Sequence, residues 1–266
     1  MTIKSLSSRD NPLYKELKLL ATSSQARRKA GRTLLDGIHL CEAYLQLVGS
    51  PALCIISDQA QAHPEAAAVF ERCNSLRTPC IVLSAALFHA LSQVAHGIDL
   101  LFVIDTPQPT APLSIAQDAV LLDGVQDPGN LGSILRSAAA AGIRQVYCSP
   151  GTVFAWSPKV LRAGMGAHFV LDIFESMDLD QAMATASISV LATSSHADEL
   201  LYAADLRRPV AWIFGNEGQG VSDALLARAS STVAIPHLGE IESLNVAACA
   251  AVCFFEQVRQ KQQATV

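Results

Sequence analysis

The sequence predicts an α/β protein built as two domains, on three observations. Short apolar runs alternate with helical patterns along the whole chain, as in a sheet with helices on its faces. In the second half the runs are continuously apolar rather than alternating, the look of parallel strands covered on both sides. A proline-rich stretch, Thr106 to Asp118, interrupts the alternation once. Its prolines fix extended backbone and cannot continue a helix or a central strand. The expected division is therefore a domain at 1–106, a linker at 107–118 and a domain at 119–266. A chain of 266 residues suits two domains. With 50% hydrophobic and 16% charged residues it buries a sizeable core, which argues against disorder.

The elements follow in order. Asp10-Asn11-Pro12 caps a helix running to about Leu20, with proline in the first turn, where a missing N–H costs nothing. The basic run Arg27-Arg28-Lys29 follows. Arg32 to Leu35 reads as a strand, Asp36-Gly37 as a turn and Ile38 to Val48 as a helix. Strands at Ala52–Ile56, Cys80–Leu83 and Leu100–Ile104 alternate with helices at Pro64–Cys73 and Ala85–Leu91. Beyond the linker, strands read at Ala119–Leu122, Gln145–Cys148, His168–Phe174, Ser187–Thr193, Val210–Phe214 and Ser231–Ile235. Helices read at Leu131–Ala141, Lys159–Met165, Leu179–Thr185, Asp223–Ala229 and Asn245–Gln260.

Composition narrows the function classes. No apolar run approaches the roughly 20 residues of a membrane helix, and the first residues hold no signal-type apolar core. The expected location is the cytoplasm. Seven cysteines form no CxxC pair and read as reduced core thiols. The histidines show no metal-ligand spacing, so no metal is expected. Net charge is −5, against a non-specific nucleic-acid binder. Yet residues 1–40 carry eight Lys or Arg against three Asp or Glu. That local excess reads either as a phosphate-docking face or as a solvated amphipathic helix.

The chemistry gathers at strand ends, where open α/β sheets bind ligands. After the strand ending at Leu122, the loop Asp127-Pro128-Gly129-Asn130 leads into a helix bearing Arg136. Asn130 offers a donor and an acceptor, and Arg136 a planar fork suited to phosphate or carboxylate. Gly215 and Gly218 open backbone amides around the carboxylate of Glu217, which could equally be a solvated turn residue. Ser243 and Asn245 begin the last helix, where they serve as caps or present N–H groups to a ligand. The glycine spacing fits no GxGxxG, which disfavours a Rossmann oxidoreductase. No GxxxxGK[ST] or GxSxG occurs either.

Taken together these stretches carry a resemblance. Asp127-Pro128-Gly129-Asn130-Leu131-Gly132 with Arg136 resembles motif 1 of the SpoU (TrmH-like) RNA 2′-O-ribose methyltransferases. Gly215-Asn216-Glu217-Gly218-Gln219-Gly220 resembles motif 2. Ile235-Pro236 and Ser243-Leu244-Asn245-Val246-Ala247 resemble motif 3, in order and at family-like spacing over about Ala119 to Gln257. The first half resembles the L30e-like substrate-binding domain found ahead of that catalytic domain. Asp36-Gly37 stands where relatives commonly have Glu-Gly, and Ala247 where they often have Ser.

The resemblance implies a SPOUT α/β fold with a deep trefoil knot, S-adenosyl-L-methionine as cofactor, structured RNA as substrate and a homodimer through the catalytic domains. It implies ribosomal RNA as substrate, with tRNA or a non-catalytic RNA-binding role as the alternatives. Carried over by position, Asn130, Arg136, Glu217, Ser243 and Asn245 are catalytic. Thr193, Gly215, Asn216, Gly218, Ile235 and Leu244 are cofactor-binding. A guanidinium is a poor base, so Arg136 is expected to hold a phosphate beside the target ribose.

Overall fold

A computed structural model describes residues 4–94, 97–241 and 243–264. The chain forms two compact units. The first comprises Met1–Pro107 together with Trp156–Phe169, and the second Gln108–Ala155 with Val170–Val266. The expected span 119–266 is thus not one unit, because a segment from its middle packs with the first.

The first unit runs β1 (Lys4–Leu6), α1 (Pro12–Thr22), α2 (Ser24–Ala30), β2 (Arg32–Asp36), α3 (Ile38–Leu47), β3 (Leu53–Ser57), α4 (Pro64–Ser75), β4 (Cys80–Leu83), α5 (Ala85–Leu91) and β5 (Leu100–Asp105). Its sheet has the order β1-β4-β3-β5-β2. The first three strands are parallel, and β5 runs antiparallel to both β3 and β2. The Asn11 side chain accepts from Leu13 N at 2.9 Å, so the cap read from Asn11-Pro12 forms. That helix buries Tyr14, Leu17 and Leu20 against Ile55, Ile81, Leu101 and Phe88. Each such side chain contributes roughly 1.5–3 kcal/mol on burial.

Three local readings change. Arg27 is no surface cation. It is 6% exposed, and its Nη1 donates to the carbonyls of Leu20 and Ala21 at 2.7 and 3.4 Å, satisfying the C-terminal end of α1. Burial lowers its pKa from the ordinary arginine value. Asp36 closes a strand rather than opening a turn, and it is buried. Gln93 N donates to it at 2.7 Å and Ser92 Oγ lies 3.0 and 3.1 Å from its two oxygens. Burial still leaves its pKa raised. The expected strand His168–Phe174 shrinks. A 3₁₀ turn takes Ala167–Phe169. There Phe169 packs edge-on to Tyr44 at 5.3 Å and His168 against Trp156 at 5.2 Å. Packing in the first unit overrides the apolar pattern.

The second unit runs β6 (Ala119–Asp123), α6 (Pro128–Ala140) and β7 (Gln145–Cys148). The chain then passes through α7 (Pro158–Gly164) of the first unit. It continues through β8 (Asp172–Phe174), α8 (Leu179–Ala184), β9 (Ser189–Thr193), β10 (Glu199–Leu200), β11 (Val210–Gly215), α9 (Asp223–Leu226), β12 (Ser231–Ala234) and α10 (Val246–Gln263). The seven strands are parallel, in the order β10-β12-β9-β11-β6-β7-β8. From β6 the chain builds outward through β7 and β8, then returns to the other side of β6. The crevice at the carboxyl ends of β6 and β11 is therefore the topological switch point. Trp212, in mid-sheet, is fully buried and donates Nε1 to Gln257 of α10 at 2.8 Å. Gln257 in turn donates to Asp118 at 2.9 Å, and Lys261 pairs with the same carboxylate. These bonds anchor α10 so that its N-terminus faces the switch point.

Substituting Arg27→Met removes the side-chain donor to the Leu20 carbonyl at the end of α1, while the Ala21 carbonyl keeps Gln93 Nε2 at 3.0 Å. We expect a loss of about 1–3 kcal/mol, seen as a lower midpoint in denaturant melts at unchanged m. A wild-type midpoint would contradict the capping role.

Candidate functional site

The end of β6 leads to Asp127, whose side chain accepts from Asn130 N at 2.8 Å and starts α6. This cap aims Asn130 across the switch point toward the loop after β11. There Glu217 accepts from three donors. Its Oε1 takes Asp127 N at 3.0 Å and Asn130 Nδ2 at 3.1 Å, and its Oε2 takes Gln126 N at 3.1 Å. Because Asn130 turns its amino group to a carboxylate, its Oδ1 faces away as an acceptor. Asn245 Nδ2 donates to that oxygen at 2.8 Å. Asn245 Oδ1 then accepts from Ala247 N and Ala248 N at 3.0 and 3.3 Å, capping α10. One chain of hydrogen bonds thus joins the loop after β6, the loop after β11 and the start of α10.

Burial raises the Glu217 pKa, but bonds from Asn130, Asp127 and Gln126 outweigh it, and the net shift is downward. A carboxylate depressed in the folded state stabilises above its unfolded pKa. That contribution is lost as the pH falls through the folded value.

The loop after β11 is shaped by its own backbone. Asn216 and Gly220 exchange backbone hydrogen bonds at 2.9 and 2.8 Å. The Asn216 side chain donates to Gly124 O at 2.8 Å and accepts from Gly218 N and Gln219 N at 2.9 and 3.2 Å. A Cβ on Gly215 would lie 1.9 Å from the Gly220 carbonyl carbon and 2.0 Å from Val221 N, so only glycine fits.

These loops enclose a cleft of about 750 Å³, within the size range of small-molecule sites. Of the expected residues, Asn130, Glu217, Ser243 and Asn245 line it, as do Thr193, Gly215, Asn216, Gly218, Ile235 and Leu244. Arg136 does not. It sits six residues along α6 from Asn130, about 9 Å along the axis and two-thirds of a turn further round. It is exposed, and its side chain makes no hydrogen bond or ion pair among the described residues. The cleft also takes residues that the motif reading did not single out, among them Ser194, His196, Asp223, His237 and Cys249. His196 and His237 each follow a strand end closely, which is the signal that marks them. The neighbouring Cys249 thiol together with burial pushes the Cys253 thiol up.

The comparisons with known proteins agree with one another. Residues 118–255 match the model of the SpoU rRNA Methylase family. The chain is 30% identical over 256 residues to 23S rRNA (guanosine(2553)-2′-O)-methyltransferase RlmP of Bacillus subtilis, covering 95% of this chain and 98% of RlmP. It is 32% identical over 273 residues to an uncharacterized tRNA/rRNA methyltransferase of Synechocystis, covering 99% of this chain and 96% of the relative. The crystal structure of the SpoU methyltransferase AviRb from Streptomyces viridochromogenes, in complex with AdoMet, superposes with a TM-score of 0.84. It is 26% identical and covers 95% of this chain and 98% of that one.

The contrast between two glycines tests the loop. Gly215→Ala forces backbone apart and is expected to cost about 1–3 kcal/mol or more. At Gly218 the added Cβ meets only Asn216 Oδ1 at 3.5 Å, an ordinary contact. Gly218→Ala should stay within about 0.5 kcal/mol of wild type. Thermal melts that rank the two in the opposite order would refute the described geometry.

Proposed function

Because the chain belongs to the SpoU rRNA methylase family, we propose that it methylates a ribose 2′-hydroxyl of ribosomal RNA with S-adenosyl-L-methionine as donor. The observation that carries this reading is the hydrogen-bonded chain Asn245–Asn130–Glu217, which unites all three motif loops at the switch point. The donor supplies a methyl group on a positively charged sulfur, so positioning dominates the task left to the protein.

The cleft suits such a donor in volume and in chemistry. The backbone groups around Gly215, Gly218, Ile235 and Leu244 are available to hold it, with Thr193 at the end of β9. Asn216 acts by shaping this loop, since its side chain is spent on Gly124, Gly218 and Gln219. Glu217 and Asn245 are positioning residues in this account: their side chains are engaged in holding Asn130 and capping α10. Asn130 and Ser243 face the ribose. Arg136, exposed and unpaired among the described residues, takes a phosphate of the substrate from outside the cleft.

The RNA-docking role of the first unit rests on fewer cations than the basic N-terminal excess promised. Arg27 is buried, Arg32 pairs with Asp105 at 2.8 Å, Lys15 with Asp10 at 3.2 Å, and Lys18 bonds the Ala90 carbonyl. Exposed Lys4, Arg9 and Lys29 remain for phosphate. The homodimer and the knotted path implied by the resemblance belong to the same proposal. Exposed Leu238, Ile241 and Leu244 support the first, and the non-consecutive order β12-β9-β11-β6 supports the second. A cytoplasmic location is part of it too. Among the described residues no helix is long and apolar enough to cross a membrane.

Purified protein incubated with radiolabelled donor should label ribosomal RNA at a ribose 2′-oxygen. Label in tRNA instead would move the substrate, and no label in either would leave a non-catalytic binder. Arg136→Lys keeps the charge but loses the planar fork. It should cut kcat at least about tenfold with donor affinity unchanged in titration calorimetry. Near-wild-type turnover would exclude the phosphate-fork role.

A further inference from the structure

Transfer of a methyl group to a ribose hydroxyl releases a proton, and the residues assigned so far offer no acceptor. The question rests on the reading above. Arg136 is already protonated. Both Glu217 oxygens are occupied by N–H donors. Asn130 and Asn245 are amides, and Ser243 is a hydroxyl.

The loop between β12 and α10 carries another group. His237 follows Ile235-Pro236 and lines the same cleft as Asn130 and Ser243. Its Nδ1 lies 3.1 Å from the Ile241 carbonyl oxygen. A carbonyl only accepts, so Nδ1 carries the hydrogen. In the neutral ring Nε2 is then left with its lone pair. His237 is exposed where it lines the cleft, and a ring held at one nitrogen by a backbone carbonyl, with no hydrogen bond at the other among the described residues, has the form of an oriented general base.

We propose that His237 Nε2 accepts the proton of the target 2′-hydroxyl. The O–H bond breaks and the proton passes to Nε2. An oxygen lone pair forms the new bond to the methyl carbon, and the electron pair of the broken carbon–sulfur bond stays on sulfur as a neutral thioether. The imidazolium then returns its proton to water. One positive charge is lost at sulfur and one appears on the ring before release, so the step conserves charge inside the cleft.

The other titratable groups in the cleft fit this task less well. The His196 ring has no hydrogen bond among the described residues to fix its tautomer. Cys249 lies within α10, one turn from the buried Cys253, with no carbonyl-held orientation among the described residues. Asp223 opens α9 as an exposed carboxylate. With Glu217 these are the other described titratable groups lining the cleft, and Glu240 lies on the same loop as His237.

The test compares wild type with His237→Ala and His237→Gln under single turnover, with calorimetry of S-adenosyl-L-methionine binding alongside. The proposal expects kcat to fall about 10²-fold or more, with donor affinity within about twofold of wild type. It further expects partial rescue of His237→Ala by added imidazole and loss of the acid limb of the pH–rate profile. Nitrogen-resolved NMR of the free protein should find His237 protonated at Nδ1 when neutral. A variant that keeps kcat within about threefold, or whose defect is wholly in donor affinity, overturns the role. So does a neutral ring protonated at Nε2. Wild-type protein that methylates no RNA overturns the proposed function itself, an outcome distinct from an active wild type with an equally active variant.

Discussion

Glu217 is the constraint on which the site depends. A carboxylate at the tip of a glycine-rich turn would ordinarily be solvated and mobile. Here three N–H donors from the loop after β6 converge on it. Charge-assisted bonds of this kind are roughly twice as strong as neutral ones. They fix Asn130, and through Asn130 they fix Asn245. Three loops far apart in sequence become one rigid edge. Neither motif 1 nor motif 2 makes a site alone, since each loop supplies the partner that orders the other.

The fold prepares this meeting. In the parallel sheet β11 lies beside β6, with Gly215 opposite Asp123. The loops leaving both strands therefore emerge side by side at the switch point. Asp123 accepts from Ser222 N at 2.9 Å and ties down the far end of the β11 loop. Gly215 permits backbone to pass where any side chain would collide. The anchor on α10, from Trp212 through Gln257 to Asp118, sets the helix whose cap is Asn245. Core packing and site geometry are thus continuous: the buried indole and the polar cap act on opposite ends of one helix.

Much of this was legible in the sequence. Continuous apolar runs marked the parallel strands, and Asn11-Pro12 and Asp127-Pro128 marked helix starts that the structure forms. Asn130, Glu217 and Asn245 stand in the three motif stretches, although by sequence alone a solvated turn accounts for Glu217 and a helix cap for Asn245. Their mutual bonding was not legible, because it depends on which strands are neighbours. Arg27 counts in the sequence as part of a basic segment, docking or solvated, since the sequence does not say that a charged side chain turns inward to cap α1. The apolar run from His168 was misread as strand because packing partners in the first unit, Tyr44 and Trp156, lie far away in sequence. Arg136 is placed by helix geometry, outside the cleft lining and facing solvent. That separates the residue proposed to take a phosphate from the groups proposed to hold the donor. The spacing of the histidines does not mark His237; the role proposed for it follows from a carbonyl four residues on.

The central claim is that Glu217, Asn130 and Asn245 act as one unit. A double-mutant cycle on Asn130→Ala and Glu217→Ala, read by calorimetry of S-adenosyl-L-methionine binding, tests it most directly. The account predicts that the double variant binds scarcely worse than the weaker single variant, with a coupling energy of about 0.5–3 kcal/mol. Losses that add within about 0.5 kcal/mol would show that the two residues act independently, and the loops would not be held together as described.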